Sequence, residues 1–415
     1  MAEDTSRYYR KGLGLKDEVA PVLESEYGSS LVSLVKERGH RLEVGRLRFR
    51  LAESFGFCYG VDRAVEYAYE AREKFPERRL FLVGEIIHNP YVNRQLREMG
   101  ITFIYPDDEG RFDFSEVGPE DVVIVPAFGV KLEDFERLEE KDCIVVDTTC
   151  GSVLLVWKRV ESYAEDGFTA LIHGKHYHEE TRATSSRVRK WQDGTFLVVR
   201  DMDEAERVCA YIRGEGDREA FLEHFEGKYS EGFDPDEDLE RIGVANQTTM
   251  VASESLAIAD RVREAMEERW GEEAEDRFRS FDTICSATQD RQDAVHEMLD
   301  EEPDVMVVIG GYNSSNTNHL AHLCSQRVPT FHIEDATCVD PESGVISHKE
   351  IMGEEIHETG DWLPDGPVEI GLTAGASTPD NKIGETVERI LRQAGHDPGR
   401  VLSEVRGREL PQAAG

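Results

Sequence analysis

The chain has 415 residues, too many for one ordinary core, and at about 150 residues per domain it should hold two or three. Hydrophobic residues make up 39%, and no apolar run reaches the roughly 18 residues of a membrane helix, so wholesale disorder and a membrane span are excluded. With 48 basic residues against 85 acidic ones the net charge is −37, which argues against a general binder of nucleic acid or anionic membrane.

The first residues, Met-Ala-Glu-Asp-Thr-Ser, lack the basic and apolar regions of an export signal, so the expected location is the cytoplasm. Residues 1–50 read as an N-terminal extension with one helix at SSLVSLVKER. Next comes LRFRLAESFGFCYGVDRAVEYAYEA (47–71), a β-rich run, a small turn at Cys58 and a helix with Val61, Val65 and Ala68 on one face. Two further strand-then-turn segments follow, LFLVGEIIHNPYV with His88 and VVIVPAFGV (122–130).

The same order then repeats twice. CIVVDTTCGSVLLVWKRVESYA (143–164) carries Cys150, FTALIHGKHYHEET carries His178 and Glu180, and IGVANQTTM (242–250) carries Thr248 and Thr249. RSFDTICSATQDRQDAVHEML (279–299) carries Cys285, VMVVIGGYNSSNTNHL carries Ser314, Ser315 and Asn316, and IGLTAGASTP (370–379) carries Ser377. From cysteine to the next polar turn the distances are 30, 28 and 29 residues. Such a repeat predicts an α/β fold of three pseudo-symmetric lobes, a trefoil of parallel sheets, over 51–139, 140–277 and 278–390. One large doubly wound sheet is the alternative. Residues 212–240 read as an acidic, Gly-punctuated insertion in the second lobe, and 391–415 as a tail with frayed last residues.

Seven cysteines form no CxxC pair, so any special thiols must converge from distant parts of the chain. Cys58, Cys150 and Cys285 sit at corresponding turns; Cys143, Cys209, Cys324 and Cys338 are expected to be buried and inert. Three converging thiolates suit zinc with a fourth ligand, or a 4Fe–4S cluster with one open iron. His88, His178, Thr248, Thr249, Ser314, Ser315, Asn316 and Ser377 are mostly neutral donors, which suits an anion, and Glu180 adds one acid to move protons. A dicarboxylate site, as in a quinolinate synthase-like enzyme, should show basic residues in these turns, and they are scarce there. A non-catalytic metal sensor has no need for the acid.

The motifs GFCYGVDRAV, GEIIHNPYV, VVDTTCG, HGKHYHEET, NQTTM, ICSATQDRQDAV, NSSNTNHLA and LTAGAST resemble the 4-hydroxy-3-methylbut-2-enyl diphosphate reductase family, in its long plant and cyanobacterial branch. The resemblance spans 51 to about 390 and implies three α/β lobes around a central iron–sulfur cluster. It makes Cys58, Cys150 and Cys285 the cluster ligands, and His88, His178, Ser314, Ser315, Asn316 and Ser377 the diphosphate contacts. Glu180 becomes the proton-delivering acid and Thr248 the threonine near the substrate hydroxyl, with Thr249 adjacent. Many bacterial members have a histidine where this chain has Phe128, so the diphosphate is expected to meet one fewer imidazole. The implied reaction is a reductive dehydroxylation giving isopentenyl or dimethylallyl diphosphate. The implied electron donor is a small one-electron carrier, ferredoxin or flavodoxin.

Only 12 of the 48 basic residues are lysine, and acid excess with few lysines resembles proteins of salt-adapted organisms. There carboxylates hold a hydrated surface while salt screens their repulsion.

Overall fold

The nine apolar runs that precede the polar turns all form strands, and the segments that follow Cys58, Cys150 and Cys285 form helices Tyr59–Lys74, Gly151–Glu165 and Ser286–Asp300. The computed structural model describes residues 7–281 and 283–407. The acidic start and the last residues of the tail, expected to be frayed, lie outside them, although Pro398–Gly407 within the tail is helical. By packing, the chain divides into two compact units.

Unit 1 (1–14, 63–87 and 95–285) holds two sheets. One has five parallel strands in the order Tyr8–Tyr9, Ile144–Asp147, Val122–Val125, Leu80–Val83, Ile101–Ile104. Three of its strands, LFLV, VVIV and IVVD, are buried at every residue, as strands covered on both faces must be. The other sheet has four parallel strands, Phe278–Ser280, Ile242–Asn246, Thr169–His173 and Phe196–Val199. Its core includes Tyr163, fully buried with its hydroxyl donating to Val244 O at 2.8 Å. The Tyr163 ring lies directly on Gly243, where a Cβ would stand 2.4 Å from the ring. Only glycine fits there.

Unit 2 (15–62, 88–94 and 286–415) holds one seven-stranded sheet. Its parallel centre is Thr330–Ile333, Val305–Ile309, Val368–Ala374 and Leu47–Leu51. Antiparallel Arg41–Val44 closes one edge, and the antiparallel pair Ile346–Lys349 and Ile356–Thr359 closes the other. Phe49, Leu372, Val307 and Ile390 pack in its core, each worth roughly 1.5–3 kcal/mol of burial.

Sheet membership differs from the grouping that the repeat suggests. The strand before Cys58, Leu47–Leu51, pairs with Val368–Ala374 and not with the strands that follow it. Likewise the strand before Cys150 completes the sheet of Leu80–Val83, and the strand before Cys285 completes that of Thr169–His173. Each cysteine therefore sits where the chain leaves one sheet for the next. Periodicity identifies a strand but not its neighbours, which are set by long-range pairing.

Residues 212–240, read as an acidic insertion, contribute to a core. They form helices Arg218–His224 and Pro235–Asp238, and bury Phe221, Phe225 and Phe233 in the four-stranded sheet's core. Among the described residues no helix is long and apolar enough to cross a membrane.

Candidate active site

In unit 1 the turn at Cys150 is held by a buried carboxylate. Asp147 accepts from Thr149 N–H at 3.0 Å, from Thr149 Oγ1 at 2.5 Å and from the Tyr8 hydroxyl at 2.6 Å. Arg63 donates to Thr149 O at 2.6 Å, and Cys150 N–H donates to Ala127 O at 3.0 Å. Cys150 then caps the helix Gly151–Glu165. At the second residue of that helix Ser152 donates its hydroxyl to Cys285 Sγ at 3.3 Å. The Cys285 turn is fixed from the other side, where Thr283 Oγ1 donates to Asn246 Oδ1 at 2.6 Å and Cys285 N–H to Thr248 O at 3.4 Å.

Glu180 lies in the short helix Glu179–Ser185 and is 1% exposed. Its Oε1 accepts Thr248 N–H at 2.6 Å and its Oε2 accepts the Thr248 hydroxyl at 2.9 Å. Thr249 turns elsewhere, its hydroxyl accepting from Gln247 Nε2 at 2.8 Å. The two adjacent threonines thus have different neighbours. His178 caps the same helix, and its Nδ1 accepts Glu180 N–H at 3.1 Å. An accepting Nδ1 leaves the proton on Nε2, so His178 offers an N–H donor. Phe128 packs edge-on to the His178 imidazole, with centroids 5.8 Å apart. The next residue, Gly129, has φ +76°, and a Cβ there would run into the Trp157 ring at 2.3 Å.

In unit 2 Cys58 N–H donates to Ala376 O at 3.1 Å, and the Cys58 sulfur accepts Val61 N–H at 3.5 Å. His88 is buried, its carbonyl accepts the Ser377 hydroxyl at 3.1 Å, and its Nδ1 lies 3.3 Å from Asn313 Nδ2. An amide nitrogen only donates, so here too Nδ1 accepts and Nε2 carries the proton. Ser314 caps the helix Ser315–Ser325, and its Oγ accepts from Thr317 N–H at 3.3 Å and from Thr317 Oγ1 at 3.0 Å. Its own hydroxyl proton is left to donate. Asn316 accepts Ala376 N–H at 2.9 Å through Oδ1, while its buried Nδ2 has no acceptor among the described residues. Ser315 is buried beside them.

Sequence reasoning missed the supports of this loop. Lys349, buried in the strand Ile346–Lys349, donates to Tyr312 O at 2.9 Å and Asn318 Oδ1 at 3.3 Å. Asn318 in turn donates to Tyr312 O at 2.9 Å and Ser314 O at 2.8 Å. Asn313 and Asn318 stood in the Asn/Ser-rich motif, but nothing in the spacing marks Lys349.

The cysteines fall into two groups. Cys58, Cys150 and Cys285 are half-exposed, while Cys143, Cys209 and Cys324 are buried. Burial pushes the Cys143 thiol up to about 11 and those of Cys209 and Cys324 up to about 12, which keeps them protonated and inert. Cys338 departs from the expectation of burial: it is half-exposed, with its sulfur 3.5 Å from the Tyr312 hydroxyl. It ends the short 3-10 turn Ala336–Cys338 and packs only partly buried against the core of the seven-stranded sheet.

The family model described as LytB protein matches residues 49–391. The chain belongs to the LytB family. Among LytB relatives is the 4-hydroxy-3-methylbut-2-enyl diphosphate reductase of Synechococcus sp. (strain CC9605), 49% identical over 390 residues, covering 94% of this chain and 96% of its own. The protein of the same name from Gloeobacter violaceus is 48% identical, covering 94% of each chain. A solved structure of (E)-4-hydroxy-3-methyl-but-2-enyl diphosphate reductase, the terminal enzyme of the non-mevalonate pathway, is 28% identical, with a TM-score of 0.51 over 82% of this chain and 98% of its own. The reductase from Plasmodium falciparum shares the LytB fold with a TM-score of 0.61 at 21% identity, covering 83% of this chain and 87% of its own.

Proposed function

We infer that the chain reduces 4-hydroxy-3-methylbut-2-enyl diphosphate to isopentenyl and dimethylallyl diphosphate by reductive dehydroxylation, the last step of the non-mevalonate pathway. Beyond the LytB relatives that carry this name, one observation supports the reading most. A buried carboxylate, Glu180, is tied by both oxygens to Thr248, whose carbonyl holds the Cys285 turn. An acid beside a thiol turn is what proton-coupled reduction at a thiolate-bound centre requires.

The donor set fits an iron–sulfur cluster. Cys58, Cys150 and Cys285 each begin a helix after a strand and stay half-exposed, whereas three of the remaining thiols are sealed in cores. When bound, a 4Fe–4S cluster on three thiolates supplies electrons singly and an open, Lewis-acidic iron. The chain does the rest. Glu180 delivers a proton to the hydroxyl that leaves as water, and Thr248 orients the carboxyl and meets the substrate hydroxyl. His88 and His178 present Nε2–H donors to the diphosphate. The Ser314 hydroxyl and the unpartnered Asn316 amide join them, with Ser315, Ser377 and Thr249 as further donors. Phe128 offers no hydrogen bond, so two imidazoles serve. A soluble one-electron carrier, ferredoxin or flavodoxin, supplies the electrons in the cytoplasm.

Anaerobic Mössbauer spectroscopy of the iron-loaded protein, with and without the diphosphate substrate, tests this reading. A substrate-induced change confined to one iron is the expected result. A spectrum indifferent to substrate, or protein that loads no iron, rejects it.

A further inference from the structure

Unit 1 holds a cation-rich cavity apart from the donors assigned to the substrate. Against a net charge of −37, one cavity of about 360 Å³ is lined by five cationic side chains and only two carboxylates. Three of the cations are matched locally. Arg137 pairs with Asp134 at 3.1 Å, Arg189 pairs with Glu133, and Arg111 pairs with Glu109 at 2.7 Å and Asp107 at 3.1 Å.

Lys131 and Arg182 are different. Both are half-buried and both donate to one backbone carbonyl, Gly110 O, at 3.0 and 3.3 Å. Among the described residues no carboxylate lies within ion-pair distance of either. Two cations that share a single neutral acceptor repel each other in a poorly solvated setting. Burial pushes the Lys131 ammonium pKa down, and the Arg182 charge beside it pushes the same way. Asp134 and Glu133 act on Lys131 only from beyond ion-pair distance and are engaged by Arg137 and Arg189, so the pair has no direct counter-ion, and a charge of opposite sign entering the cavity would satisfy both.

We propose that the cavity between Lys131, Arg182 and the Arg137/Arg189 rim binds a small multivalent phosphate, of the size and charge of a diphosphate. The guanidinium forks favour phosphate oxygens, and the volume admits a diphosphate but not a nucleic acid chain. Arg182 lies in the same seven-residue helix as Glu180, so occupancy acts next to the proposed acid without using its contacts. The site differs from the donors assigned to the substrate, which are neutral. It rests on charge and cavity alone and stands whether or not the proposed reaction is right.

Equilibrium dialysis of the iron-loaded protein against labelled inorganic diphosphate, under anaerobic conditions and low salt, reads the stoichiometry directly. The wild type should bind two equivalents, one of them weakening steeply with added salt. The double variant Lys131→Gln/Arg182→Gln should lose that salt-sensitive equivalent, with affinity down at least about tenfold, the usual cost of a charged hydrogen bond or more. The rim variant Arg137→Gln should weaken the same equivalent and covers the case in which the double variant does not fold. Ser314→Ala/Asn316→Ala should remove the other equivalent instead. A wild type with no salt-sensitive equivalent, or a Lys131/Arg182 variant that keeps it, overturns the cavity site. If Ser314→Ala/Asn316→Ala leaves both equivalents, the assignment of the substrate loop falls and the cavity site stands.

Discussion

Thr248 occupies both oxygens of the Glu180 carboxylate, one through its backbone N–H at 2.6 Å and the other through its hydroxyl at 2.9 Å. Gln at 180 keeps one acceptor for the N–H, and its amide can meet the threonine hydroxyl, so the local structure should survive. It cannot deliver a carboxylic proton. Glu180→Gln should therefore lower kcat by roughly 10²–10⁴-fold with KM little changed. An anaerobic assay with an artificial one-electron reductant checks this. Normal turnover, or a defect confined to KM, would remove Glu180 from proton delivery.

Asn313 sets the tautomer of His88 by donating to Nδ1. Without that donor the ring can protonate at Nδ1 and turn an acceptor toward the anion. Asn313→Ala should raise KM several-fold, by about 1 kcal/mol for one lost hydrogen bond, and His88→Ala by more. In both variants kcat should hold. Ser314→Ala belongs to the same class, since binding is used by ground and transition states alike. A fall in kcat at unchanged KM would contradict this division of labour.

Thiol environment predicts iron loading. Replacing Cys58, Cys150 or Cys285 by serine should abolish or cripple iron incorporation, because a soft thiolate becomes a hard hydroxyl. Serine at 143, 209 or 324 should leave iron content near normal, at a modest cost in stability. Iron per chain, measured after anaerobic reconstitution, decides between these groups. An essential Cys209 with a dispensable Cys150 would defeat the assignment.

Two buried histidines make the fold acid-sensitive. Burial pushes His173 and His332 down to about 4; His173 Nδ1 is 2.8 Å from Ser255 Oγ, and His332 Nε2 donates to Gly310 O at 3.0 Å. Between the ordinary value near 6.5 and about 4 the unfolded chain takes up protons that the folded chain refuses. Stability should thus fall as pH drops through that window, by up to roughly 1.4 kcal/mol per pH unit for each histidine. His332→Gln keeps a donor for Gly310 and does not titrate. Urea unfolding at pH 7 and pH 5 should show a smaller acid loss in the variant, and equal losses would refute the assignment.

The charge excess carries its own expectation. If 85 acidic residues are tolerated because salt screens them, the melting temperature should rise from low to molar salt. A melting temperature that ignores salt, or falls with it, removes salt adaptation as the explanation.

Much of this was legible in the chain. The nine strands show as apolar runs because parallel strands are buried on both faces, and the Cys-bearing turns show because helices start just after them. What periodicity could not reveal is pairing, so Leu47–Leu51 looked like a neighbour of Leu80–Val83 when its partner is Val368–Ala374. Lys349 was invisible for the same reason: it reaches the Ser314 loop from a strand far along the chain. Phe221 and Phe225 were a different kind of miss. Their spacing of one helical turn is readable, but the surrounding glycines and acids mask the apolar face that they form.

The pairing of Leu47 with Val368 also orders events during synthesis. The first strand of the parallel core leaves the ribosome more than three hundred residues before its partner. Until then its apolar face and unpaired edge must wait, while both sheets of unit 1 already have every strand they need. Unit 1 is therefore free to assemble on the nascent chain, and unit 2 cannot close until Val368–Ala374 has been made. A ribosome that stalls before residue 368 releases a chain whose second unit cannot close. Such a product is a natural client for chaperones and proteases.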